Sequence, residues 1–408
     1  MQGKTKVITL SVVLLGLACG IVHAAGQINE RILVQDNSAF AMDLYQKLRV
    51  SDGNIFLSPY SISTALAMTY GGARGNTEKE MAKTLRFSLD QDNLHQAFAQ
   101  EESRLNKIQK SGNIKLSVAN SLWPQQDYKF LDQYLSLVKK NYGVSITPVD
   151  YKRAREAARK MINRWVEDKT QDKIRDLIQP GTLDALTRLA LVNAIYFKGD
   201  WQSQFKADKT KDAPFHISSG KFIQAPMMTQ QNKFKYADLG SFEMLELPYV
   251  GNEMSMIVLL PKEIDGLKQL EDDLSIENLE QWKARLNKRE LIVFLPKFKM
   301  TSMFRLDNTL KSMGMVDAFS SLKANFAGMD GRPDWLHIGA VIHKAFVDVN
   351  EEGTEAAAAT AVVVTAQSMP APIPVFHADH PFIFLIQDNE TGSILFMGRM
   401  NNPTKTGE

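Results

Sequence analysis

Two stretches in the last quarter of this 408-residue chain read as strands: Lys344-Ala345-Phe346-Val347-Asp348-Val349 and Val362-Val363-Val364-Thr365. Between them runs Glu351-Glu352-Gly353-Thr354-Glu355-Ala356-Ala357-Ala358-Ala359-Thr360-Ala361. A segment of glycine, threonine and four successive alanines has little large apolar surface with which to fix its own shape in water. Taken with period two, one face carries Thr354, Ala356, Ala358, Thr360, Val362 and Val364. Those side chains are small or β-branched, so they can enter a sheet without cavity or charge penalty. The fold must therefore accommodate a strand that is waiting for a partner.

The first residues have the pattern of a secretory signal. Lys4 and Lys6 precede a mostly apolar stretch from Val7 to Val22, and Val22-His23-Ala24 offers a small-residue cleavage site before Ala25. The apolar part is short for a membrane span, and polar sequence follows it. The expectation is a removed signal over residues 1–24, a single domain over 25–408, and a secreted or periplasmic protein. The single cysteine, Cys19, lies inside the signal, which leaves no internal disulfide or thiolate metal site. Lipid attachment at Cys19 is the weaker reading, because Leu15-Gly16-Leu17-Ala18-Cys19 is a poor lipobox. Removing the signal takes two lysines from 48 basic residues and leaves them balanced against 46 acidic ones. No overall basic field is then available to attract nucleic acid or an anionic membrane.

The first half alternates helices with short strands. Asn37 to Val50 predicts a helix, another follows Ser58-Pro59, and Thr77 with Glu80 suggests a capping box. Arg153 to Glu167 places Ala154, Ala157, Ala158, Met161, Ile162, Trp165 and Val166 on one helical face, expected to pack on a sheet. The second half is strand-rich, with runs at Leu189–Phe197, Ser255–Leu260, Leu291–Pro296, Phe382–Ile386 and Ile394–Met397. Long separations between strands predict an α+β fold with more than one sheet and slow folding.

Five motifs, in order and at compatible spacing, resemble those of the serpin family over nearly the whole chain after residue 24. They are Asn54-Ile55-Phe56-Leu57-Ser58-Pro59-Tyr60-Ser61-Ile62; Leu191-Val192-Asn193-Ala194-Ile195-Tyr196-Phe197-Lys198-Gly199-Asp200-Trp201; His343-Lys344-Ala345; Asp379-His380-Pro381-Phe382-Ile383-Phe384; and Leu395-Phe396-Met397-Gly398-Arg399 with Asn402-Pro403. The resemblance implies three β-sheets surrounded by about eight or nine helices, with an exposed reactive-centre loop over about residues 351–374. Ser58, Ser61, Asn193 and His343 fall where the central strands of the family must part. Hydroxyl, amide and imidazole groups can exchange hydrogen bonds there, as an apolar seam could not. Trp201 falls where the loop first enters, and Glu351 matches a hinge-base acid whose lysine partner is Lys297. Gly353, Thr354, Glu355, Ala356, Ala357, Ala358, Ala359 and Thr360 form the rest of the hinge. The resemblance implies no catalytic residue, no metal, no cofactor, and a monomer whose partner is a protease.

In inhibitory members of the family the scissile bond follows the hinge glycine at a nearly fixed distance, so the resemblance, counted as fifteen residues from Gly353 inclusive, implies a bait bond between Gln367 and Ser368. Counting back from Pro381 gives about Pro370 instead, so the loop departs from the usual length. The hinge count is preferred because an inserted strand must span the sheet. The extra residues then fall in Met369-Pro370-Ala371-Pro372-Ile373-Pro374, a stiff return. No Lys or Arg lies between Val347 and Arg399, which disfavours a target needing a cation in its pocket. Val364, Thr365 and Ala366 suit an elastase-like enzyme in a slipped register, and a papain-like cysteine protease is also open. A non-inhibitory member that carries a ligand or serves as a decoy substrate is the alternative. Such relatives place bulky or charged residues on the inward hinge face. Ser320-Ser321-Leu322-Lys323 and Lys405-Thr406-Gly407 fit parts of a serine-hydrolase pattern, but no S-D-N element lies between them. His377 and His380 lack the clustered ligands that a metal needs.

Overall fold

The computed structural model describes residues 4–112, 114–333, 336–353 and 372–407. Six helices fill the first half: α1 (Lys4–Leu48), α2 (Pro59–Tyr70), α3 (Gly75–Thr84), α4 (Gln91–Lys110), α5 (Asp132–Tyr142) and α6 (Tyr151–Lys169). Four short ones follow at Leu267–Asp273, Ile276–Lys283, Asp307–Ser312 and Ala327–Asp330. The strands are β1 (Ile55–Leu57), β2 (Ile114–Pro124), β3 (Ser145–Ile146), β4 (Leu189–Gly199), β5 (Lys211–Ser218), β6 (Lys221–Asp238) and β7 (Phe242–Pro248). They continue as β8 (Met254–Pro261), β9 (Asn287–Pro296), β10 (Phe298–Arg305), β11 (Ile342–Val349), β12 (Val375–His377), β13 (Phe382–Asp388) and β14 (Ile394–Met400).

Hydrogen bonding groups these strands into a five-stranded sheet, β10-β11-β4-β2-β3, and a larger one, β1-β14-β13-β8-β7-β6-β9-β12 with β5 beside β6. The larger one is two sheets joined by one long strand. The first part of β6 pairs with β5 and β9, and its last residues, from Lys235 to Asp238, pair with β7. Among the described residues, hydrogen bonding thus joins into two sheets what the motifs implied as three, with β6 as the shared strand, and ten α-helices stand where about eight or nine were implied.

Period two in β4 and β11 explains how the five-stranded sheet is buried on both faces. Ile195, Phe197, Ala345 and Val347 pack into the core with Phe56, Phe384 and Phe396. Val192, Ala194, Tyr196 and Phe346 face the other way, against Ile162 and Val166 of α6. Phe56 stacks on Phe396 at 5.3 Å between ring centroids, which fixes β1 against β14.

Local chemistry sets the helix starts, with two departures from expectation. Ser58 caps α2, its hydroxyl accepting from the Ser61 amide at 3.2 Å with Pro59 in the first turn. Thr77 and Glu80 do not form a capping box. Helix α3 begins earlier, at Gly75, and its Thr77 hydroxyl accepts from Asn325 N while Glu80 accepts from Val316 N and Asp317 N. In α6 the apolar face is narrower than its periodicity suggested. Ala154 and Ala157 are exposed, and Met161 is 52% exposed. A kink at Ala154 rotates the first turn. Arg159 and Asn163 take the buried places because both bind the carbonyl of Ile178 in the following segment.

Candidate functional site

The site is a seam. In the five-stranded sheet, β2 pairs antiparallel with β4 along its whole length, and β10 does the same with β11. Between them, β11 and β4 run parallel, and their register holds only at Ala345↔Ile195 and Phe346↔Tyr196. Above and below those two pairs, the facing backbones of two central strands lack the ladder that would normally satisfy them.

At the lower end of the seam, the start of α2 holds both strands. His343 of β11, 2% exposed, accepts the Ser58 backbone N–H at Nε2 (3.0 Å). That bond requires an unprotonated Nε2, and burial pushes the imidazole pKa down to about 3, so the ring is neutral. The Ser58 hydroxyl donates to the carbonyl of Leu395 at 2.6 Å. On the other side, Asn193 of β4 accepts from the Ser61 hydroxyl through Oδ1 and donates through Nδ2 to Asn120 Oδ1 at 2.6 Å. The four polar residues singled out from sequence therefore meet in one place, with α2 bonded to each side of the seam. Asn120 is a fifth member that sequence reasoning missed. It lies directly across β2 from Asn193, and its own amide nitrogen has no partner. A lone amide within the run Leu116–Trp123 was the available signal.

At the upper end, β11 stops in a tight turn. Asn350 N donates to Gly353 O at 2.9 Å, and the Asn350 side chain accepts from Glu352 N at 3.1 Å. Gly353 has φ of +150°, and a Cβ there would overlap the carbonyl oxygen of Gly199. Only glycine fits. Gly353 also forms an antiparallel bridge with Asp200, just beyond the end of β4. Trp201, 2% exposed, stacks on Tyr249 at 4.7 Å and donates through Nε1 to Asn350 O at 3.0 Å. Its backbone N–H donates to Glu352 O at 2.9 Å.

Glu351 anchors the turn. Lys297 Nζ lies 2.8 Å from Oε2, the Thr210 hydroxyl donates to Oε1 at 2.8 Å, and Phe205 N donates to the Glu351 carbonyl at 2.8 Å. Burial alone would raise this carboxyl's pKa, but the bonds from Lys297 and Thr210 bring it below the ordinary value. Sequence reasoning found Lys297, Trp201 and Glu351 but missed Thr210, Phe205 and Asn350, which carry no motif. The hinge residues Thr354, Glu355, Ala356, Ala357, Ala358, Ala359 and Thr360 and the bond between Gln367 and Ser368 lie outside the described residues.

No cluster of three or more His, Cys, Asp or Glu suited to a metal occurs among the described residues. His380 uses both ring nitrogens internally, facing Asp379 Oδ1 and the Pro261 carbonyl at 2.7 Å each. Among the described residues no helix is long and apolar enough to cross a membrane.

These features define an α+β protein whose central sheet is incompletely closed along one parallel seam. A sequence model of the family described as "Serpin (serine protease inhibitor)" matches residues 35–403. The chain belongs to the serpin family. It is 43% identical to leukocyte elastase inhibitor A of Mus musculus over 377 residues, covering 90% of this chain and 98% of that one. The leukocyte elastase inhibitor of Homo sapiens is 42% identical with the same coverage. Among solved structures, uncleaved ovalbumin matches with a TM-score of 0.82 and 34% identity, covering 91% of this chain and all of that one. Human thyroxine-binding globulin, solved with its hormone, also gives a TM-score of 0.82, with 32% identity over 92% of this chain and all of that one.

Proposed function

We propose that this chain is a suicide inhibitor of a serine protease, released from the cell after loss of residues 1–24. The observation that carries the reading is the seam. Its strands are parallel and paired at only two positions, and Gly353 already lies antiparallel to Asp200 at the seam's upper end. A strand continuing from Gly353 would run antiparallel to both β4 and β11, so the backbone positions beyond the two paired ones would gain ladder partners on each side. Each backbone hydrogen bond gained is worth about 0.5–1.5 kcal/mol net. The residues that would face inward are Thr354, Ala356, Ala358, Thr360, Val362 and Val364, small enough to enter between the core and α6.

In the proposed sequence the protease serine attacks the carbonyl carbon of Gln367. An acyl-enzyme forms, and the new amino terminus at Ser368 departs. The freed segment inserts as a central strand and draws the acylated protease along the sheet before water can complete hydrolysis. For the strands to part, His343 must release Ser58 N–H and Asn193 must release Ser61, and α2 is placed to take up new partners. The native state in this account is kinetically trapped, so its persistence is a matter of rate.

The names of the leukocyte elastase inhibitors support an elastase-like target, and Val364, Thr365 and Ala366 suit a small specificity pocket. Thyroxine-binding globulin, solved with a bound hormone, favours a second reading in which a chain of this fold carries a ligand. The small residues at Thr354, Ala356 and Ala358 favour inhibition. Incubation with a panel of serine proteases, followed by denaturing electrophoresis, separates the two. A protease-sized covalent adduct supports inhibition, and complete cleavage without any adduct rejects it. Amino-terminal sequencing of the exported protein should begin at Ala25.

A further inference from the structure

The five-stranded sheet has two edges of unequal risk. At one edge β3 is only two residues long and offers almost nothing to pair with. At the other, β10 is eight residues long, with its outward backbone groups facing away from β11. Charged side chains often protect such an edge, and two basic ones lie along this one, each beside an acid. Lys299 is paired with Asp348 at 3.3 Å and Arg305 with Asp307 at 2.6 Å.

The segment after the last strand covers the middle of this edge. Thr301 N donates to Thr406 O at 2.7 Å. The next residue, Gly407, has φ of +69°, and a Cβ there would overlap the Thr301 carbonyl oxygen. The close approach needs glycine on both counts. Asn54 holds the base of the segment. Its amide nitrogen donates to Asn402 O (2.7 Å) and Lys405 O (3.2 Å), while its Oδ1 accepts from Asn401 N (2.8 Å) and Asn402 N (2.9 Å). The Thr404 hydroxyl closes the turn onto Asn402 Oδ1 at 2.8 Å. The match to the family model ends at residue 403, at the base of this segment.

We propose that Thr404–Gly407 is an edge cap, which keeps β10 from pairing with an extended segment of a second copy of this chain. The cap occupies the Thr301 donor in the centre of the edge, and a second chain could not form a continuous ladder along β10 without displacing it.

The test compares the full chain, the chain shortened after Pro403, and Gly407→Val, by light scattering after size exclusion over a range of concentrations. Amide hydrogen exchange at Thr301 is followed in parallel. The full chain should remain a monomer. Both variants should associate increasingly with concentration, and their Thr301 amide should exchange about fivefold faster at low concentration, the equivalent of one ordinary hydrogen bond. Monomeric variants would overturn the proposal, whether or not exchange at Thr301 changes. So would a full chain that associates as readily as the shortened one. Should the shortened chain fail to fold, Gly407→Val, which leaves the Asn54 anchor in place, decides by the same two readouts.

Discussion

Acid should loosen the seam through His343, and the size of the effect follows from its burial. The imidazole is 2% exposed and its pKa is lowered from 6.5 to about 3 by desolvation. The sign is fixed by linkage: the group stays neutral when folded and takes up a proton when released. Its contribution is therefore intact above pH 6.5 and is lost progressively as pH falls from 6.5 toward about 3. At about pH 5 the released ring is almost fully protonated while the folded ring is not, which costs about 2 kcal/mol, or roughly thirtyfold in the equilibrium. His343→Gln keeps an acceptor near Ser58 N–H but cannot titrate. His95 is likewise pushed down to about 4, by burial and then by the charge of Arg74, but it is common to both proteins and cancels in the comparison. The assay is denaturant-induced opening at neutral pH and at about pH 5 for both proteins. The wild type should lose about 2 kcal/mol more than the variant over that interval. Identical losses would show that His343 does not hold the seam in the way its geometry indicates.

Three further outcomes follow. Ala356→Glu should turn the inhibitor largely into a cleaved substrate, since insertion would bury an unpaired charge at about several kcal/mol. Ala357→Glu, on the outward face, should keep most of the covalent complex, and equal partitioning by the two variants would rule out period-two insertion. The peptide released from the covalent complex should begin at Ser368 by mass spectrometry, whereas a start at Met369 or later would refute the hinge count and a start at Thr365 or Ala366 would indicate a slipped, elastase-like register. Lys297→Gln should lower the thermal midpoint only slightly, by about 1 kcal/mol or less of stability, because Lys297 is 44% exposed. A larger loss would mean that the Glu351 anchor depends on that pair more than on Thr210 and Phe205.

Much of the fold was legible because apolar runs of strand length mark β4, β8, β9, β13 and β14, and because Ser58-Pro59 is both a motif and a physical helix start. The site was legible where one residue type has few structural uses: Gly353 for its backbone, and His343 and Asn193 for polar groups within apolar strands. What stayed hidden was set by tertiary partners. Thr77 and Glu80 have capping spacing but bond to Asn325, Val316 and Asp317 across long sequence separations. Arg159 and Asn163 break the apolar face of α6 because Ile178 needs partners for its backbone. Asn120 became recognisable only when register placed it opposite Asn193. The joining of two sheets through β6 depends on pairings at its opposite ends, which no local pattern encodes.

The central claim is that the segment following Gly353 is a strand awaiting a place in the sheet, and nicking tests it most directly. Intact protein and protein cleaved once between Thr365 and Ser368 are heated, or unfolded in denaturant, side by side. Breaking a covalent bond should raise the unfolding midpoint markedly, because the freed segment can enter between β4 and β11 and complete the ladder that only Ala345 and Phe346 begin. Equal midpoints, or a lower one for the nicked chain, would contradict insertion as the mechanism while leaving the family assignment intact.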